Sequence, residues 1–148
     1  MFAEYFDSPL GPVKIVADDE ALVEVGLCES RGEMRPNEIT MLARQWLREY
    51  FAGKAPVWTP PLRFKSAFSK QVSEAVIEIG FGEVASYSEV ARRIGREGAQ
   101  RAVAQVMRLN LYQIVVPCHR VVAKNGLGGY NGGVEIKKWL LEFERAHR

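Results

Sequence analysis

Residues 54–64, KAPVWTPPLRF, place three prolines within eleven positions. Each proline lacks an amide donor and locks its own φ, so neither a helix nor a central strand runs through such a stretch. The stretch therefore reads as a linker or an extended loop. We place a linker at about 53–64, an N-terminal α/β domain over 1–58 and a second domain over 65–148. At 148 residues, 47% of them hydrophobic, the chain can bury a core as one domain or as two small ones sharing an interface.

The hydrophobic period changes across that break. Before it, FAEYF, VKIVA and ALVEVGLC are short β-forming segments separated by the turn sequences DSPLGP and DDE, which predicts an antiparallel meander. PNEITMLARQWLREYFAG then spaces Ile39, Leu42, Trp46 and Tyr50 as one helix stripe, with Gly53 as the stop. After the break the period is helical. FSKQVSEAVIEI lines up Val72, Ala75, Val76 and Ile79. In FGEVASYSEVARRIGREGAQRAVAQVMRLN, Ser86 and Glu89 have capping-box spacing, a first helix runs to about Ile94, and GREG turns the chain. A second helix directs Ala99, Val103, Val106 and Met107 inward and Arg101, Gln105 and Arg108 outward. Helix, short glycine turn, helix with a basic outer face is the pattern of a helix-turn-helix. Many helical hairpins share it and bind nothing.

Charge divides along nearly the same line. Residues 1–80 hold 9 Lys/Arg against 12 Asp/Glu, and residues 81–148 hold 11 against 6. The excess concentrates in Arg92, Arg93, Arg96, Arg101, Arg108 and Arg120, and such a half is suited to a polyanion, although a solvated basic face has the same composition. Around Arg101 the side chains are small: Ala99, Ala102 and Ala104. That favours close backbone approach to DNA with one inserted cation, and argues against long side chains reading base edges. The chain lacks a run of about 18 apolar residues, and its first residues lack the cationic and apolar regions of a secretory leader. With two cysteines in no framework spacing, this predicts a protein of a reducing cytoplasm.

The chemistry concentrates in VVPCHRVV, residues 115–122, which joins one of two cysteines to one of two histidines. A cysteine nucleophile needs a base, and the base needs a group that orients it. In a strand Cys118 and His119 would point apart; in a tight turn they need not. The last helix, VEIKKWLLEFERAH, places Glu144 on the ridge of Ile136 and Leu140, where a carboxylate requires a partner. On spacing alone, the plainer reading of Glu144 is a helix-end glutamate paired with a surface arginine. Structural zinc wants about four Cys/His ligands, and the chain has two of each, so no metal is expected. No C-x-x-C redox pair is present. A cysteine hydrolase and a DNA-binding regulator with an inert cysteine both remain open at this point, and Cys28, at the end of a strand pattern, reads as a small buried hydrophobe.

VVPCHRVVAKNGLGGYNGGVEIKKWLLEFE resembles the active-site block of the O6-alkylguanine-DNA alkyltransferases, the methylated-DNA–protein-cysteine methyltransferases. IGFGEVASYSEVA and RAVAQVMRLN resemble that family's upstream segments, so the resemblance covers residues 65–144. It implies an α+β architecture: a small RNase H-like N-terminal domain and a helical C-terminal domain with a winged helix-turn-helix. It also implies repair of duplex DNA bearing O6-alkylguanine or O4-alkylthymine. The lesion would be approached from the minor groove by a monomer without a cofactor, which flips the base and transfers the alkyl group irreversibly to Cys118. By the same resemblance His119 is the base acting through a water, Glu144 polarises it, Asn110 braces the turn, and Tyr87 helps rotate the nucleotide and donates toward the leaving guanine. Arg101 fills the gap in the stack, with Ala99, Ala102, Gln105 and Arg108 on the DNA face. Pro117, Val121, Tyr130, Asn131 and Gly132 form the guanine pocket. The chain departs from the family pattern at Gly80 (usually Pro), Ala104 (often Gly), Leu111 (often Pro) and Asn131 (often Ser).

Overall fold

A computed structural model describes all 148 residues, and the chain divides into two compact units. The first comprises Met1–Arg63 with Leu111–Val115; the second comprises Phe64–Asn110 with Val116–Arg148.

In the first unit, β1 (Phe2–Ser8), β2 (Gly11–Ala17) and β3 (Leu22–Leu27) form an antiparallel meander in the order β1-β2-β3. Ser8 pairs with Gly11, which leaves a two-residue hairpin loop, and Gly11 supplies the positive φ of +112° that the loop needs. Val13, Ile15 and Ala17 alternate inward along β2 and are fully buried. Helix α1 (Glu38–Phe51) packs across β1 and β2. It begins at Asn37, whose side chain accepts from the Thr40 amide while Thr40 Oγ1 accepts from the Asn37 amide. Its inward stripe runs through Thr40, Ala43, Trp46, Leu47 and Tyr50, so the expected stripe is rotated: Leu42 is exposed and Ile39 half-buried. Ala43, Trp46, Leu47 and Tyr50 form the apolar part of that face, and Thr40 donates its hydroxyl at 2.9 Å to Glu4, a buried carboxylate on β1.

The proline-rich stretch is pinned to this unit. The Leu22 amide donates to Pro61 O and the Arg63 amide donates to Leu22 O. Residues 111–115 lie along β3 as well, with Val25 bonding Leu111 and Gln113 through its amide and carbonyl. Tyr112 fixes them further through hydrogen bonds to Leu22 and Arg63. A boundary placed at 65 does not anticipate this return of the chain.

In the second unit, α2 (Ala67–Ile77) buries Val72, Ser73 and Val76. A two-residue strand β4 (Ala85–Ser86) pairs in parallel with β5 (Val121–Val122). Helices α3 (Tyr87–Arg93) and α4 (Gln100–Arg108) form the helix-turn-helix, with Gly95 and Gly98 at φ of +70° and +89° in the turn. Ser86 caps α3 by accepting from the Glu89 amide, but the reciprocal half of the box is missing: the Glu89 carboxylate meets the Ser86 hydroxyl at 3.5 Å, not its amide. Val103 and Met107 carry the buried face of α4, while Ala99 is its half-buried N-cap and not an inward helix residue. The last helix, α5 (Val134–His147), buries Lys137, Leu140, Leu141 and Glu144. The molecule is therefore mixed α/β, a small sheet unit and a helical unit. No helix is long and apolar enough to cross a membrane.

Candidate active site

Cys118 begins a single 3-10 turn, Cys118–Arg120, closed by bonds from the Arg120 amide to Pro117 O and from the Val121 amide to Cys118 O. At three residues per turn, successive side chains fan out by about a third of a circle and do not alternate as they would in a strand. Cys118, His119 and Arg120 are consequently all buried and all meet partners inside the second unit. Asn110, just past α4, donates to Val116 O at 3.1 Å and to Cys118 Sγ at 3.2 Å, tying the turn to the end of the helix.

His119 and Glu144 have no exposed surface, and His119 Nε2 lies 2.5 Å from Glu144 Oε2. An ionised carboxylate only accepts, so Nε2 carries the proton and Nδ1 of the neutral ring is a lone pair. Nδ1 is buried and has no hydrogen-bond partner. Glu144 also accepts from Arg120 Nε at 2.8 Å, Arg120 Nη2 at 3.1 Å and the Gly82 amide at 3.0 Å. Arg120 Nη1 donates to Ile79 O at 2.6 Å. The Glu144 carboxylate is therefore saturated by a fork from one side and an imidazole from another. This corrects two expectations: Arg120 is an interior group, not part of a polyanion-facing excess, and the arginine paired with Glu144 is not at the surface.

The electrostatics follow from burial opposed by these contacts. Burial works to raise the Glu144 pKa, but the hydrogen bonds from His119 and Arg120 and the charge of Arg120 outweigh it and hold it at about 2, below the usual 4.5. Burial pushes the His119 pKa down against the pull of Glu144, so the imidazole is neutral. Burial pushes the Cys118 thiol up, opposed by the Asn110 hydrogen bond, the Lys137 charge and nearby amides. At rest the site thus holds a protonated thiol beside a neutral base.

Cys118 opens onto a cavity of about 300 Å³ bounded by Tyr87, Ala104, Met107 and Arg108 on one side and Gly128–Asn131 on the other. Gly128, at φ +76°, lets the Tyr87 hydroxyl approach; a Cβ there would stand 2.8 Å from that oxygen. The Tyr130 hydroxyl is buried without a partner. Of the residues expected to wall the pocket, Tyr130 and Asn131 line it, while Pro117 and Val121 are buried outside its lining and Gly132 is exposed. Arg101, Ala102 and Gln105 are exposed on α4 together with Arg108, which reaches the cavity; Arg108 donates to Gln105 at 2.8 Å.

Sequence reasoning missed Lys137. It is fully buried, donates to Val121 O at 2.7 Å and Gly129 O at 3.1 Å, and so ties β5 to the glycine-rich loop. Burial lowers its pKa to about 8. A signal existed: Lys137, Leu140, Leu141 and Glu144 share one face at helical spacing. Nothing in the local sequence points to Gly82 or Ile79.

Fold and site together define a helix-turn-helix protein with one buried cysteine beside a His–Glu–Arg cluster. The chain belongs to the 6-O-methylguanine DNA methyltransferase family, whose DNA binding domain model matches residues 67–146 and whose ribonuclease-like domain model matches residues 1–64. A probable methylated-DNA–protein-cysteine methyltransferase of Acanthamoeba polyphaga mimivirus is 38% identical over 98% of this chain and 97% of its own length. The methylated-DNA–protein-cysteine methyltransferase of Metallosphaera sedula is 38% identical over 93% of this chain and 88% of its own. Among solved structures, Mycobacterium tuberculosis OGT in complex with DNA is 35% identical, with a TM-score of 0.86 over 99% of this chain and 94% of that one.

Proposed function

We propose that this protein repairs O6-alkylguanine in duplex DNA by moving the alkyl group onto Cys118. The observation that carries the reading is Cys118 at the wall of a nucleobase-sized cavity, beside a histidine whose free Nδ1 is the one buried nitrogen of the Cys–His–Glu cluster left without a partner. A water between the thiol and Nδ1 would relay the proton. The thiol gives its proton to His119 Nδ1, the sulfur forms a bond to the alkyl carbon, and the carbon–oxygen bond breaks with its electron pair going to guanine O6. Glu144 stabilises the imidazolium that forms. Tyr87, whose partial burial raises its pKa and keeps it a phenol, donates to the departing guanine. Because Cys118 is not ionised in advance, its thiolate forms only as the reaction begins. The product is a thioether, which water does not readily cleave, so each molecule acts once.

The base must leave the helix, at a cost of a few kcal/mol. Arg101, exposed among alanines on α4, would replace it in the stack, and the small side chains around it suit the minor groove. An O4-alkylthymine presents the same carbon–oxygen bond. The reading is of a monomer in a reducing cytoplasm, with both cysteines free thiols. Mass spectrometry after mixing with duplex O6-methylguanine DNA tests it. We expect one methyl group gained at Cys118 and none in Cys118→Ser. Binding without an adduct would make the chain a regulator, and turnover without an adduct a hydrolase.

A further inference from the structure

A second cavity of the same unit, about 510 Å³, shares the residue Tyr87 with the cavity at Cys118. Ser86, Ser88 and Arg92 line it from β4 and α3, Gln100 from the start of α4, and Ala123 and Lys124 from just past β5. None of its lining residues is acidic. Arg92 and Lys124 are exposed, come from separate elements, and neither enters an ion pair with a carboxylate. Two cations without a carboxylate partner line the cavity together with the Ser88 hydroxyl and the Gln100 amide, and such a set concentrates anions there. The donors suit phosphate oxygens.

A flipped nucleotide stays bonded to both neighbours through its phosphodiesters. If its base enters the cavity at Cys118 past Tyr87, the strand on one side must run over the surface adjoining Tyr87. We propose that this second cavity seats the sugar-phosphate backbone of the damaged strand beside the flipped nucleotide, with Arg92 and Lys124 each neutralising one phosphate. The inference rests on the DNA reading above and extends it to residues that touch neither the base nor the thiol.

Binding of a duplex carrying O6-methylguanine, followed by fluorescence anisotropy from low to moderate salt, tests it. The plot of log affinity against log salt should flatten by about 0.9 for Arg92→Gln or Lys124→Gln, and by roughly 1.8 for the double variant. Lys138→Gln, an exposed cation of α5 outside the cleft, should flatten it less. In a second arm, an uncharged methylphosphonate replaces each phosphate flanking the lesion in turn. One position should weaken binding of the parent protein and have little effect on the double variant. An unchanged salt slope, or losses from methylphosphonate and double variant that simply add at every position, would overturn the cleft. Methyl transfer to Cys118 by the parent protein is scored separately, so failure of the alkyl-transfer reading and failure of the cleft are told apart.

Discussion

Glu144→Gln alters one atom's chemistry and leaves side-chain shape unchanged, so its effects can be worked through bond by bond. The carboxylate now accepts from His119, from two nitrogens of Arg120 and from the Gly82 amide. A glutamine has one accepting oxygen. If that oxygen keeps Gly82 and Arg120 Nε, its amide nitrogen faces Arg120 Nη2 and His119 Nε2, donor against donor. His119 can relieve this by moving its proton to Nδ1 and accepting at Nε2. That tautomer has no lone pair at Nδ1, so the base that Cys118 needs is gone. We expect single-turnover alkylation by free O6-benzylguanine, which needs no base flipping, to slow by roughly 10²–10⁴-fold, the usual contribution of a positioned general base.

Stability should fall too, because Arg120 keeps its charge and loses its counter-ion; breaking a buried pair costs about 3–5 kcal/mol. The pH dependence gives a second measure. The Glu144 pKa is held at about 2 against a usual 4.5, which corresponds to something on the order of 3 kcal/mol. Since the folded pKa is the lower one, this stabilisation is complete above about pH 4.5 and is lost as pH falls toward 2. Urea unfolding of the parent should show that loss, and the glutamine variant should lack it. Nitrogen NMR of His119 reads the tautomer directly. A folded variant with the Nε2–H tautomer and an unchanged rate would refute the reasoning.

Arg101→Ala should slow repair of duplex DNA far more than reaction with free O6-benzylguanine, measured in parallel single turnovers; equal loss on both would reduce Arg101 to a support of the fold. Lys137→Met should destabilise the protein by about 1–3 kcal/mol for each of the two carbonyls it leaves unpaired, Val121 O and Gly129 O, as read by chemical denaturation. Full stability in that variant would mean that other groups satisfy those carbonyls.

Local rules determine a large part of this protein from sequence alone. Alternation places Val13, Ile15 and Ala17 on one face of β2, and the glycines of GREG allow the turn between α3 and α4. Helical spacing puts Glu144 on an inward ridge, where a carboxylate cannot stay unpaired. Those relations span a few residues, and the backbone period alone sets them. The partners of that carboxylate are another matter. Arg120 lies 24 residues away and Gly82 62 residues away, and either could equally have faced water. Likewise the helix sequence does not show that the Thr40 hydroxyl meets a buried glutamate on β1, 36 residues away. Nothing in the sequence of residues 111–115 marks them as partners of β3, yet β3 has an open edge whose amides and carbonyls require partners, and this segment supplies them. Period and turn chemistry are properties of neighbouring residues and survive in the sequence. The satisfaction of buried charge and of sheet edges depends on which distant groups packing brings together, and only the folded chain decides that.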